Sequence, residues 1–306
     1  MKKFFHGFKT ATAILLAVIF CMIYPMQTLS DSGIFKLTQN SEIINSNPED
    51  IPAMQELQEA QAAEPYIIGE DISKRQASSK HFLMSDGSYQ IAEYPINVHY
   101  LNEDGQWEQY DNRIQTVQPN ARSVSADIQT FKAAKADKEI ILAQKSSTSE
   151  LIKLETGSTS ASWKYKGASQ SNLEITPVSQ TNDPLELTGI VQEVFYRNIY
   201  PSVDLQVLLL PGGVKENLIL KNAQAQNVFE IEYQLNGLSA VSRDSRTIYL
   251  KDSEGNIKYI ISAPYMEDAQ GAASPELQLE IISQTQEKLY IRLTADSDWL
   301  KDENRS

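Results

Sequence analysis

At 306 residues, with 41% hydrophobic and 22% charged residues, the chain has the composition of a folded protein with one large or two ordinary cores, which excludes a disordered or membrane-embedded polypeptide. Forty acidic against 27 basic residues leave a net charge of −13, a balance that disfavours nucleic acid and anionic membrane surfaces as partners. Fourteen tyrosines and many Ile, Val and Thr tilt the chain toward strands.

Residues 1–30 read as an export signal. Lys2, Lys3 and Lys9 form a basic start, an uncharged apolar run follows from Thr10 to Met26, and Thr28-Leu29-Ser30 offers small residues at a cleavage point before Asp31. The alternative is an uncleaved anchor, for which the apolar run is short against the ~20 residues of a bilayer span. Ile19 and Phe20 do not suit a lipid anchor on Cys21. Removing residues 1–30 takes three lysines and no acid, so the net charge of the mature chain falls from −13 to −16. Cys21, the only cysteine, leaves with the signal. The mature chain then has no disulfide, thiolate nucleophile or cysteine metal site.

Residues 31–66 read as a leader with a short helix over Ala53–Ala63, where good helix formers follow the turn-rich Asn45–Pro52 and stop at Pro65. From about residue 80, short strands alternate with turns. Tyr89–Tyr94, Ile96–Leu101 and Gln106–Tyr110 are separated by Pro95 and by Asn102-Glu103-Asp104-Gly105. Val124–Phe131 and Glu139–Ala143 read as strands, with Lys132–Lys138 a helical turn or a loop between them. Gly157–Ser162 is polar and turn-prone, and tips a hairpin between Leu151–Leu154 and Trp163–Tyr165. Later hairpins pair Val203–Leu210 with Lys215–Leu220, Thr247–Leu250 with Ile257–Ile261, and Leu277–Ile282 with Leu289–Leu293. Phe229–Leu235 alternates cleanly between apolar and polar residues. The pattern predicts an all-β, mostly antiparallel, β-sandwich-like fold, with lobes over residues 67–145 and 146–306.

Several phrases in this order resemble the N-terminal region of Gram-positive wall-associated RHS-repeat proteins, a region also found in proteins with a DNRLRE domain. They are Lys80-His81-Phe82, Ser85–Ser88, Tyr94–Tyr100, Asp104–Trp107, Tyr110-Asp111-Asn112, Tyr196–Leu205, Val214–Leu220, Ser262–Ala269 and Asp298-Trp299-Leu300. The resemblance covers roughly residues 68–300. In that family a Tyr-Pro-Val-Thr-Ile-Asp-Pro-like segment and further modules follow the Trp-Leu phrase. Here the sequence runs to Ser306 without them, so the resemblance implies the exported head of such a protein standing alone.

Chemistry-bearing residues are sparse. His81 and His99 are the histidines beyond the signal, and both read as structural. No Gly-x-Ser-x-Gly elbow, His-Glu-x-x-His helix or phosphate loop is present. Calcium is the cation the sequence would admit, at Asp252–Asn256 or Asn102–Gly105, although neither has EF-hand spacing and both read as hairpin turns. Trp107, Trp163 and Trp299, with Tyr94, Tyr100 and Tyr110, could present rings to a sugar, Trp163 foremost because it adjoins a serine-rich turn. The expectation is a secreted or cell-wall-associated, non-catalytic structural or interaction module, without catalytic residues or cofactor. Its partners would be a wall component or further modules, with no nucleic acid and, in the mature form, no membrane. The alternatives are a carbohydrate-binding module with Trp163 as glycan contact, and a glycoside hydrolase acting through two carboxylates.

Overall fold

The structure, a computed structural model, describes residues 14–21, 64–117 and 129–301. Most of the segment read as an export signal, the helix expected over Ala53–Ala63 and the first part of the strand expected from Val124 lie outside the described residues. Antiparallel strands dominate the rest. The eight-stranded sheet runs in the order β22 (Leu277–Gln284), β23 (Lys288–Ala295), β16 (Val228–Asn236), β11 (Thr159–Tyr165), β10 (Ile152–Thr156), β9 (Glu139–Ala143), β8 (Thr130–Lys135) and β7 (Asp111–Val117). The ten-stranded sheet runs β12 (Leu173–Ile175), β13 (Gln192–Tyr200), β14 (Val203–Leu210), β15 (Gly213–Leu220), β1 (Ile14–Cys21), β19 (Ile257–Ile261), β18 (Ile248–Lys251) and β17 (Ser239–Ser242). In addition, β20 (Tyr265–Glu267) pairs with β1 and with β21 (Ala273–Ser274). Two small sheets precede the sandwich: β2 (Ile67–Glu70), β3 (Ser79–Met84) and β4 (Tyr89–Glu93), then β5 (His99–Leu101) with β6 (Trp107–Gln109). A short helix α1 (Ser297–Lys301) follows the last strand, with Asp296 Oδ1 accepting from the Trp299 amide at 2.7 Å.

Period-two burial joins the two large sheets into one core. In β16 the alternating Phe229, Ile231, Tyr233 and Leu235 are buried, while Glu230, Glu232 and Gln234 face outward. One apolar cluster runs from these residues to Tyr196, Leu205, Leu218 and Tyr259 of the opposite sheet. The all-β reading therefore holds. The division expected near residue 145 falls between β9 and β10, which are hydrogen-bonded neighbours. Only Gly157 and Ser158 form the turn expected over Gly157–Ser162. Residues 159–162 are buried strand, and Ser162 donates to Glu150 at 2.9 Å, because small residues pack a sheet face as readily as they form turns.

The turns share a local chemistry. At Asn102, Asp252 and Asp268 the side-chain oxygen accepts from the amides two and four residues on, at 2.8–3.1 Å. The fourth residue of each loop is a glycine with φ of 71°, 86° and 86°, which a side chain would resist. A different device bends β13. Asn198 has φ 51°, and Asp204 Oδ1 holds its amide at 2.7 Å while Arg197 and Lys221 pair with the same carboxylate. The Tyr-Arg-Asn-Ile-Tyr-Pro-Ser-Val-Asp phrase thus encodes a bulge clamped by its own aspartate.

Polar tips of aromatic side chains stitch the sheets together. Tyr196 donates to the Ala143 carbonyl at 2.5 Å and Tyr200 to the Lys166 carbonyl at 2.6 Å. At the centre Glu216, wholly buried on β15, accepts from Trp163 Nε1 at 2.9 Å and from Tyr165 Oη at 3.1 Å, both on β11. Trp163 stacks on Tyr233 with ring centroids 5.5 Å apart. Burial pushes the Glu216 carboxyl up to about 7, against the pull of its two donors. A carboxyl whose folded value exceeds its unfolded one binds a proton more tightly when folded. Its contribution is fully favourable below the unfolded value of 4.5 and is lost as pH rises toward 7. Glu216→Gln keeps an acceptor for both donors and removes this loss. Relative to wild type, the variant should gain about 3 kcal/mol between pH 4.5 and 8 in urea unfolding, as 2.5 pH units at 1.36 kcal/mol each. Parallel stability curves for the two proteins would refute the assignment.

Candidate functional site

One concave surface among the described residues is a groove where the small N-terminal sheets meet the edge of the eight-stranded sheet. Arg75, Trp107, Glu108, Asp111, Arg113 and Lys135 line it. Arg75 follows a one-turn 3-10 helix capped by Asp71, whose carboxylate accepts from the Ser73 amide at 3.2 Å. Trp107 and Glu108 come from the β5–β6 hairpin, whose register is set by the Asn102 loop. Asp111 and Arg113 open β7, and Lys135 ends β8 beside them. Gly189, with φ 73°, passes so close that a Cβ there would lie 2.9 Å from Asp111 Oδ1 and 3.1 Å from Arg113 Cγ. Asn112, between those two, is wholly buried and binds the backbone of Gly189 and Ile190 at 2.7 and 2.6 Å.

The groove carries three cations and two carboxylates. Arg113 contacts Asp111 through Nε and Nη2 at 2.8 and 2.5 Å, and Lys135 reaches Glu108 at 2.7 Å. Burial pushes the Asp111 carboxyl up, and Arg113 more than reverses it. Lys135 and the Tyr100 hydroxyl hold Glu108 low. Arg113 and Lys135 keep 50% and 54% of their side chains exposed, so both cations can reach a ligand without breaking the fold.

Behind Arg75 lies a more enclosed set of ionisable groups. Glu70 accepts from Arg75 Nε and Nη2 at 2.6 and 3.0 Å, with Lys80 Nζ 3.8 Å away and His99 Nε2 at the same distance. Lys80 donates to Gln109 at 2.6 Å. His99, only 1% exposed, contacts the Gln76 carbonyl through Nδ1 at 2.6 Å, which assigns the proton to that nitrogen. Its Nε2 has no hydrogen-bond partner. Burial lowers the His99 and Lys80 pKa values, whereas at Glu70 burial is outweighed by the Arg75 hydrogen bond and the charges of Lys80 and Arg75. A neutral imidazole with a bare nitrogen thus lies near a lysine and an arginine around the same carboxylate.

Of the aromatic residues and histidines singled out in the sequence, Trp107 and Tyr110 line the groove and His99 lies behind it, while the others fall elsewhere. Trp163 is wholly buried with its indole nitrogen bonded to Glu216, which leaves its ring no surface for a sugar. Trp299 is 9% exposed in the core, and Tyr110 is buried in the small cluster with Val98 and Ile190. His81 lies on β3, apart from His99. The oxygens proposed for calcium at Asp252 and Asn102 accept from their own loop amides. No group of three or more His, Cys, Asp and Glu side chains is placed to hold a metal among the described residues. Arg75, Arg113, Lys135 and Glu70 escaped the sequence reading, since no spacing links residues that only three separate sheets bring together.

No family model and no solved structure matches the sequence. Three curated proteins do. The chain is 23% identical to the tRNA nuclease WapA of Bacillus subtilis strain 168 over 96% of its own length, and to the tRNA(Glu)-specific nuclease WapA of B. subtilis subsp. natto over 99%. It is also 23% identical over 87% of its length to the tRNA3(Ser)-specific nuclease WapA of Bacillus spizizenii. It spans 11–12% of the length of these relatives.

These relatives correct four expectations. The proteins that share the sequence are named as tRNA nucleases, not as wall-associated RHS-repeat or DNRLRE proteins. That overturns the non-catalytic surface module, its glycan-binding and glycoside-hydrolase alternatives, and the expectation that no enzyme is involved. The exclusion of nucleic acid falls with them. It rested on net charge, which averages over the whole surface and says nothing of one groove.

Two outcomes check this geometry. Gly189→Ala should cost roughly 1–2 kcal/mol in urea unfolding, through backbone strain and displacement of the Asp111–Arg113 pair. A cost below about 0.5 kcal/mol would show that the loop adjusts freely. His99 binds a proton less readily folded than unfolded, so its contribution is present at neutral pH and lost as pH falls below 6.5. Below that pH, wild type should lose more stability than His99→Gln, and equal losses would contradict the buried neutral imidazole.

Proposed function

We propose that this chain serves a nuclease directed at tRNA, and that the groove formed by Arg75, Trp107, Arg113 and Lys135 is the surface on which it meets RNA. The observation that carries the reading is the match to tRNA nucleases across 87–99% of the chain. Cleavage of tRNA is the named activity of proteins about eight times longer, and it comes to this chain as part of the proposal. Export by residues 1–30 belongs to the same proposal, supported by the basic start, apolar run and small residues of that segment.

Physical chemistry supports the groove as the contact surface. The chain's acidity repels a polyanion almost everywhere, so RNA needs a place where cations converge and an aromatic ring offers stacking. Arg113 and Lys135 are half-exposed, Arg75 stands behind them, and Trp107 supplies the ring. A phosphate entering the groove would take over donors that Asp111 and Glu108 now share. His99 and Lys80 adjoin the groove but are buried, so their part is to hold the Glu70–Arg75 pair in place rather than to touch RNA.

The test is tRNA binding by the full chain, followed through tryptophan fluorescence and gel shift from 50 to 200 mM salt. Wild type should bind with a logarithmic salt slope of about −2, as three phosphate contacts at about −0.7 each imply. The Arg113→Ala/Lys135→Ala double variant, with its fold checked by circular dichroism, should bind at least tenfold more weakly and with a shallower slope. A chain that neither binds nor shortens tRNA at 50 mM salt overturns the proposal. So does a double variant that binds as wild type does.

A further inference from the structure

The apolar run that reads as the core of an export signal lies in the middle of the ten-stranded sheet. Ile14–Cys21 pairs along its whole length with β15, in register from Ile14 opposite Leu220 to Cys21 opposite Gly213. On its other side Phe20 and Cys21 pair with Ile261 and Ile260, and Leu15, Leu16 and Ala17 pair with Glu267, Met266 and Tyr265. No other strand joins β15 to β19 or β20 among the described residues. Cleavage after Ser30 would therefore take a central strand out of the sheet.

We propose that the gap between β15 and the β19–β20 run is an acceptor for one uncharged apolar strand, filled by Ile14–Cys21 while that segment is attached and by a partner strand of the same chemistry once export processing removes it. Three observations set that chemistry. Length comes from the eight paired positions along β15. Direction is fixed because the resident strand is antiparallel to both neighbours. Polarity follows from the register, which places alternate positions opposite wholly buried groups: Leu16 opposite Leu218 and Met266, Val18 opposite Glu216, and Phe20 opposite Val214 and Ile261. A charge opposite the buried Glu216 would be desolvated without a solvent path. An empty gap leaves two open edges facing each other, each a row of unpaired N–H and C=O groups that an added strand satisfies. The inference rests on the export reading of residues 1–30 and not on any action on tRNA.

The experiment uses the full chain with a protease site placed between residues 28 and 31. After folding, the chain is cut and unfolded in urea, the released N-terminal fragment is removed by size exclusion, and the remainder is refolded with excess labelled peptide carrying Ile14–Cys21 between solubilising lysines. Equimolar uptake of label is expected, with amide exchange at residues 213–220 and 257–267 as slow as in the uncut chain. Peptides with Ala17→Pro, which lacks a ladder donor, or Val18→Lys should be taken up at least tenfold less. Refolding without peptide should leave both edges exchanging fast, or the protein unfolded. The proposal is overturned if the cut protein regains slow exchange at both edges without peptide. It also fails if no label is taken up by protein whose uncut control refolds, or if the Pro and Lys peptides bind equally well.

Discussion

The sandwich is organised around a carboxyl that its own sheet cannot satisfy. Glu216 sits at 0% exposure in the middle of β15, and the groups that accommodate it, Trp163 Nε1 and Tyr165 Oη, belong to the facing sheet. An apolar residue there would leave the Trp163 and Tyr165 donors unpaired in the core. A buried acceptor with two directional donors allows one relative placement, because any other leaves a polar group unpaired in the core. The stacking of Trp163 on Tyr233 and the crossing bonds of Tyr196 and Tyr200 then fall into line.

Two buried titrations oppose each other across the molecule. Protonation suits Glu216 in the folded state and harms it at His99, so acidification stabilises one region and weakens the other. The sandwich core and the N-terminal groove thus respond to the same change of pH with opposite sign. The groove is also held differently. Its side chains are fixed by ion pairs and by the close approach of Gly189, whereas the core is fixed by packed rings.

Where side chains alternate, the fold was legible in the sequence. Phe229–Leu235 is buried at every second residue, and the loops at Asn102 and Asp252 lie where turn residues predict them. Two kinds of strand were not legible. Ile14–Cys21 has no alternation, and a continuous apolar run reads the same whether it crosses a membrane or completes a sheet. Thr159–Ser162 is built from small, mostly polar residues that propensity assigns to turns, and pairing on both sides with β10 and β16 makes it strand. The site was the least legible part. Glu70, Arg75, Lys80 and His99 come from separate strands and a one-turn helix, with no spacing to announce them. Trp163 drew notice for its serine-rich neighbours, but those neighbours are core.

The position of β1 also bears on the order in which the protein can be completed. Its partners on β15 lie about two hundred positions downstream, and those on β19 and β20 lie further still. A strand made this early is therefore among the last to find its place, and its pairing cannot be completed until residue 267 has been synthesised. Until then the hairpins can form locally, closed by their own Asn and Asp side chains, while the N-terminal run remains unpaired and free to engage whatever handles the nascent chain.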